Sequence, residues 1–329
     1  MKGKNIIVWI IAVLTAIAMA GCNTSSASAG NTQVANPGED CISVVATIFA
    51  PYDFAREIAG DNADITMLLP PGSETHSFEP TPQDIIAIQD CDVFIYVGGE
   101  SDDWIDRILD SMDTKNKTIV PLIDCVEPVE EAIIEGMQED KESSGNNAID
   151  KTEPEYDEHI WTSPKNAKLI ANEISGALCK ADEANEVLYE QNADVYMEKL
   201  DILDAEFRTV VDGAARKTIV FGDRFPFRYF ADAYGLDCFA AFPGCSTETE
   251  PSAKTVAFLI DKIEDEQIPV VFHIELSNEK MADTLCAETG AKKLLLHSCH
   301  NISKDDFQNG LSYLKLMTRN VTALKEALY

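Results

Sequence analysis

The chain has 329 residues, with 26 Lys or Arg against 57 Asp or Glu, a formal net charge of −31 and 45% hydrophobic residues. That length suggests two domains, and the ordinary hydrophobic and charged fractions exclude wholesale disorder and a multi-span membrane protein. The charge excludes nucleic acid as a partner, because a phosphate backbone would be repelled, and it favours cationic ligands.

Lys2 and Lys4 precede a charge-free run, Ile6 to Ala20, that ends in small residues and Cys22. A basic start, a short apolar middle and a small-residue end predict a signal peptide over 1–21, not a spanning helix. The tetrad Met19-Ala20-Gly21-Cys22 is similar to a bacterial lipobox, which would make Cys22 the lipidated first residue. Residues 22–40, rich in Ser, Ala, Asn and Gly, predict a flexible lipid-anchored tether with an r.m.s. reach of roughly 23 Å. The expected location is therefore extracytoplasmic, anchored to the bacterial cell membrane. Cys41, Cys91, Cys125, Cys179, Cys238, Cys245, Cys286 and Cys299 remain. An exported chain permits disulfides among them, and buried free thiols are equally compatible.

Ile42 to Phe49 predicts a buried strand, Pro51 to Gly60 a helix with Pro in its first turn and Gly at its end, and Ile65 to Leu69 a second strand. The order recurs with Thr218 to Phe221, Pro226 to Gly235 and Cys238 to Phe242, followed by a Pro243-Gly244 turn. Two α/β lobes of similar build follow. Between them, Glu183 to Asp212 lacks Pro and Gly, and Tyr196, Leu200, Leu203, Phe207 and Val210 step by four, three, four and three. That is one long amphipathic helix, roughly 45 Å at 1.5 Å per residue, stiffer than a loop hinge. The expected domains are an N-terminal lobe over 41–182, a linking helix over 183–213 and a C-terminal lobe over 214–329. Residues 127–158 hold twelve Asp or Glu against two Lys. They predict a solvated acidic loop that could also collect cations beside a metal site.

The five histidines are His76, His159, His273, His297 and His300. His76 follows a predicted strand, where open α/β sheets bind ligands. His159 precedes a helix opened by Pro164, and His297 and His300 flank Ser298-Cys299 after the predicted strand 293–296. Several imidazoles with carboxylates would suit zinc. A lone His also serves as a surface or hydrogen-bonding residue, and the spacings match no local zinc motif, so such a site has to be assembled from distant loops.

Pro71-Gly72-x-Glu74-x-His76-x-Phe78-Glu79-Pro80-Thr81-Pro82 and Asp157-x-His159-x-Trp161-x-x-Pro164 resemble the first and second ligand loops of the cluster-nine metal-binding lipoproteins of ABC-type zinc and manganese importers. Val97-Gly98-Gly99 with Trp104, Tyr229 to Leu236, and Glu275 through Glu288-Thr289-Gly290 extend the resemblance over residues 42–329. It implies two α/β lobes joined by one long rigid helix, with one divalent metal in the cleft between them. It also implies delivery of that metal by a monomer to a membrane permease powered by a cytoplasmic ATPase. By motif the ligands are His76, His159 and His300, with His297 in reserve. The remaining ligand position of such proteins falls here on Arg224, and a guanidinium has no lone pair to donate. Asp223 or Glu275 would then supply a carboxylate, or water would complete the sphere, with Arg224 and Glu74 as supporting residues behind the ligands. Arg224 could also pin a carboxylate by a bidentate pair. His273 reads as a core or supporting residue. Imidazole-dominated coordination favours Zn2+ over Mn2+. The expected role is metal capture and delivery, not catalysis. The alternatives are a zinc-dependent hydrolase using Glu275 or Glu74 as general base, and a metal-storage or adhesion lipoprotein.

Overall fold

A computed structural model describes residues 41–73, 78–99, 102–131, 137, 156–244 and 251–329. The predicted signal, the tether with Cys22, the loop residues Glu74 and His76, Cys245 and most of the acidic run lie outside the described residues.

The N-terminal sheet contains β1 (Ile42–Ala46), β2 (Ala63–Met67), β3 (Val93–Tyr96) and β4 (Thr118–Pro121), all parallel, in the order β2-β1-β3-β4. The C-terminal sheet contains β5 (Thr218–Phe225), β6 (Asp237–Pro243), β7 (Val270–His273) and β8 (Lys292–Leu295), again parallel, in the order β6-β5-β7-β8. The second sheet repeats the permutation of the first, as the recurring strand–helix–strand order implies. In each, the chain reverses its direction of travel between the first and third strands. That reversal opens a crevice at the strands' carboxyl ends, where α/β sheets bind ligands.

Helix α1 (Phe49–Ala59) begins two residues before the predicted start and places Pro51 in its first turn. Helix α2 (Pro82–Asp90) has a capping box, with the Thr81 side chain accepting from Asp84 N and Asp84 accepting from Thr81 N. Helices α3 (Asp103–Leu109) and α4 (Pro164–Ala181) complete the first lobe. Helix α5 (Glu186–Asp212) is the link, entered through a 3₁₀ turn over Glu183–Asn185. All five apolar positions expected on its inner face are buried. It packs against α1 and α4 on one side of the molecule, and on the other against α6 (Arg228–Tyr234) and α10 (Tyr313–Leu328). Helices α7 (Ala253–Asp265), α8 (Lys280–Thr289) and α9 (Lys304–Gln308) belong to the second lobe.

Strand β5 runs four residues past its predicted end. Gly222 serves a close approach: a Cβ there would sit 2.4 Å from Ala282 Cα on α8. The irregularity between Phe221 and Arg224 is held by Asp223, whose carboxylate accepts from Arg224 N at 2.9 Å and Ile274 N at 3.1 Å. One continuous apolar core runs through both lobes, from Phe54 and Trp161 through Tyr196 and Phe207 to Phe221 and Leu324. The described cysteines are all free thiols. Among the described residues no helix is long and apolar enough to cross a membrane.

Candidate metal site

His159 and His300 line one small cavity, about 40 Å³, together with Arg224, Pro226, Gly244, the 274–277 loop, Ser298 and Asn301. His159 is 1% exposed and sits at the turn into α4. Its backbone N–H donates to Asp157 Oδ1 at 2.8 Å, and its Nδ1 lies 3.3 Å from the same oxygen. A proton on Nδ1 shared with that carboxylate leaves Nε2 as the nitrogen with a lone pair, the arrangement that orients metal-binding imidazoles. Burial alone would lower the pKa of His159, but Asp157, with Glu158 and Glu131, outweighs it and holds the ring above its ordinary value.

Asp157 is itself fixed across the cleft. Its carbonyl accepts from Tyr229 Oη at 3.0 Å, and its N–H donates to Val129 O at 2.9 Å. An antiparallel bridge between Glu130 and Tyr156 closes the base of the acidic run beside it. Asp102 lies near Glu158; burial pushes its carboxyl up to about 6, although it accepts from the Val97 and Gly98 N–H groups. Gly99, at φ 108°, makes room for Glu158, since a Cβ there would meet its side chain at 2.6 Å.

The 297–302 loop carries the other imidazole. Cys299 adopts a left-handed conformation, φ 60°, that turns the two neighbouring histidines to opposite sides. His297 faces inward: its Nδ1 accepts from Cys299 N at 3.0 Å, its N–H donates to Asn320 Oδ1, and it is not among the residues lining the cavity. His300 faces the cavity, and Glu275 sets its backbone. Glu275 Oε1 accepts from Ser298 Oγ at 2.6 Å and His300 N at 3.1 Å, while Oε2 accepts from Ser298 N at 2.7 Å. Trp161, fully buried and donating from Nε1 to Ser298 O, brackets both rings at 5.6 Å and 5.2 Å between centroids.

The His159 and His300 ring centroids are 5.2 Å apart, with planes at 80°. Two imidazoles bound tetrahedrally to one zinc at about 2.0–2.1 Å would place their ring centres roughly 5 Å apart. The pair is thus spaced for a shared metal. Among the described residues no group of three or more His, Cys, Asp or Glu is gathered as a complete cage. The reserve candidates do not fill it. His297 has committed its Nδ1 lone pair, Asp223 has committed both carboxylate oxygens to backbone N–H groups, and Glu275 works as the brace of the 298–300 loop. His273 lies away from the cavity, with Nδ1 3.1 Å from Ile274 O and 3.9 Å from Glu279.

A family model described as zinc-uptake complex component A, periplasmic (ZnuA), matches residues 44–327. The chain belongs to this family. It is 31% identical over 313 residues to the high-affinity zinc uptake system protein ZnuA of Bacillus subtilis, covering 94% of this chain and 96% of that one. It is 28% identical to the zinc-binding lipoprotein AdcA of Streptococcus pneumoniae, spanning 60% of AdcA's length. The crystal structure of the Zn(II)-bound ZnuA-like domain of that AdcA superposes with a TM-score of 0.70 at 27% identity, over 88% of this chain and 99% of the domain. The metal-dependent lipoprotein YcdH of Bacillus subtilis gives 0.72 at 30% identity, over 87% and 99%.

Sequence reasoning misses several parts of the site in the present chain. Gly244 reads only as a turn in the sequence, but a Cβ there would lie 2.9 Å from Phe225 O and 3.4 Å from His159 Cε1. Asn301, which ties Pro70 O and Ser73 O to the His300 loop at 3.0 and 2.8 Å, carries no local sequence signal.

Proposed function

We propose that this chain captures one divalent transition metal, zinc in preference to manganese, outside the cytoplasm and hands it to an ABC importer's permease. The single observation that carries the reading is the 5.2 Å spacing of two imidazoles, buried His159 and half-buried His300, one from each lobe. Nitrogen donors suit zinc better than manganese, which prefers oxygen. His159 and His300 are two of the ligands, and His76 is the third. Its loop leaves the first sheet at Pro70 to Ser73, where Gly72 N donates to Ile302 O at 2.8 Å and Asn301 holds both ends of the turn. The loop that carries His76 therefore departs from the backbone adjoining His300.

The domain limits 41–182, 183–213 and 214–329 remain part of this reading, as do a signal over 1–21, lipid attachment at Cys22 and function as a monomer. Binding without turnover is favoured over a zinc hydrolase because both Glu275 oxygens already accept hydrogen bonds, which leaves Glu275 poorly placed to take a proton from water. Elemental analysis of the exhaustively dialysed protein tests the proposal. One zinc per chain is expected, with loss in His159→Ala and in His300→Ala. Several weakly held ions that survive both substitutions would support metal storage instead.

A further inference from the structure

Trp161 stands two residues after His159, in the 3₁₀ turn Ile160–Thr162 that leads into α4. Its side chain is fully buried, and its indole packs against His159 at 5.6 Å and His300 at 5.2 Å between ring centroids. With 5.2 Å between the imidazoles themselves, the three rings form a nearly equilateral triangle. Both imidazoles thus rest on one indole, whose nitrogen only donates and cannot itself bind a metal. A buried indole N–H needs a partner. Here it finds Ser298 O at 2.8 Å, two residues before His300. One side chain of the first lobe therefore holds the His300 loop of the second by ring contact and by hydrogen bond.

Trp161 is in turn held from the second lobe. Its carbonyl accepts from Tyr313 Oη at 2.7 Å, and burial keeps that hydroxyl a donor by pushing its pKa well above the ordinary value. Tyr313 is fully buried at the start of α10, where its N–H donates to Asp53 Oδ2 at 2.7 Å. The contacts close a circuit: His159 and Trp161 share a turn, Trp161 grips Ser298, and Tyr313 grips Trp161. We propose that Trp161, locked by Tyr313, is a positioning residue that sets the separation of His159 and His300 before the metal arrives. The ordering of the two rings is then complete in the metal-free fold, and the ion does not have to draw them together as it binds.

This inference rests on the reading that His159 and His300 bind metal, and the wild-type protein separates the two. Zinc affinity is measured by chelator competition, and the absorption spectrum of the Co2+-loaded protein is recorded, for wild type, Tyr313→Phe, Trp161→Phe and the double variant. Tyr313→Phe removes one hydroxyl, and Trp161→Phe keeps an aromatic ring but removes the N–H. Each single variant is expected to bind zinc roughly tenfold more weakly, the lower end of the usual loss when a group behind a metal ligand is changed. The Co2+ ligand-field bands shift with it, because the two imidazoles no longer meet the ion at the same geometry. The double variant binds about as weakly as the weaker single one, since both substitutions open the same circuit. Tyr313→Phe, a one-atom deletion, decides the test alone if Trp161→Phe fails to fold. Wild-type zinc affinity and unshifted Co2+ bands in Tyr313→Phe, even with a lowered urea midpoint, overturn the positioning role and leave the metal site standing. Losses that multiply to about a hundredfold in the double variant also overturn it, because the two residues then act separately. Absence of zinc binding by the wild type overturns the metal site itself.

Discussion

Asp157 is the residue on which the chemistry of His159 turns. Its carboxylate fixes which ring nitrogen carries the proton and lends the imidazole negative charge from behind. Removing that charge while keeping the shape should cost roughly 10–100-fold in zinc affinity, the usual loss when the group behind a metal-binding histidine is changed. Asp157→Asn, measured by chelator competition, checks this; unchanged affinity would remove Asp157 from the site. Gly244 makes a steric prediction. Gly244→Ala puts a methyl group 2.9 Å from Phe225 O, so the β6 turn must shift against His159, and zinc binding should weaken while thermal stability changes little.

Asp53 makes a prediction about pH. It is fully buried, accepts from Tyr313 N at 2.7 Å and pairs with Arg56, yet burial pushes its carboxyl up to about 6. The folded chain therefore holds this proton more tightly than the unfolded chain, whose carboxyl titrates near 3.8. Stability from this group is fully present below that lower value and is lost as pH rises through about 4 to 6. The difference between the two states corresponds to about 3 kcal/mol. Asp53→Asn should accordingly gain on the wild type by up to that amount between pH 4 and pH 7, read as the difference in urea midpoints. A constant difference across the range would show that Asp53 does not titrate there.

At the scale of elements, the repeated strand–helix–strand units are legible in the sequence because each carries its own punctuation. Pro51 sits in the first turn of α1, Gly60 and Gly235 take positive φ just past their helices, and β-branched runs mark β1 and β5. The linking helix is legible because its apolar stripe repeats over 27 residues without a breaker. What cannot be read is anything set by contact between distant segments. The predicted strand stops at Phe221, and only the approach of α8 to Gly222 and of Ile274 N to Asp223 shows why β5 continues. The resemblance ranks His300 above His297, but the reason lies in the backbone: His300 lines the cavity beyond the left-handed Cys299, and His297 does not. The histidines are visible as residue types; the division of the four described ones into two that line the cavity, His159 and His300, and two that do not, His273 and His297, comes from backbone geometry. An element-level consequence concerns the 70–73 turn. Asn301→Ala removes two hydrogen bonds to it, which should cost about 1–3 kcal/mol and speed amide exchange at Gly72 and Ser73.

At the scale of the whole molecule, the two sheets share one core and are bound by polar ties. Trp161 reaches Ser298 O, Tyr229 reaches Asp157 O, Tyr313 reaches Trp161 O, and Phe49 N reaches His300 O. Helix α5 adds a stiff rod of about 40 Å along both lobes. A wide hinge opening would break these ties and divide the core, whereas movement of ligand loops would leave most of them in place. Metal exchange is therefore expected to proceed through the loops at the strand ends, with the lobes nearly fixed. The central claim is that one metal sits between an imidazole of each lobe. Anomalous diffraction at the zinc edge from crystals of the zinc-loaded protein tests it most directly. The expected result is a single strong peak at about 2.0–2.1 Å from a ring nitrogen of both His159 and His300. A peak elsewhere, or none between those two rings, would contradict it.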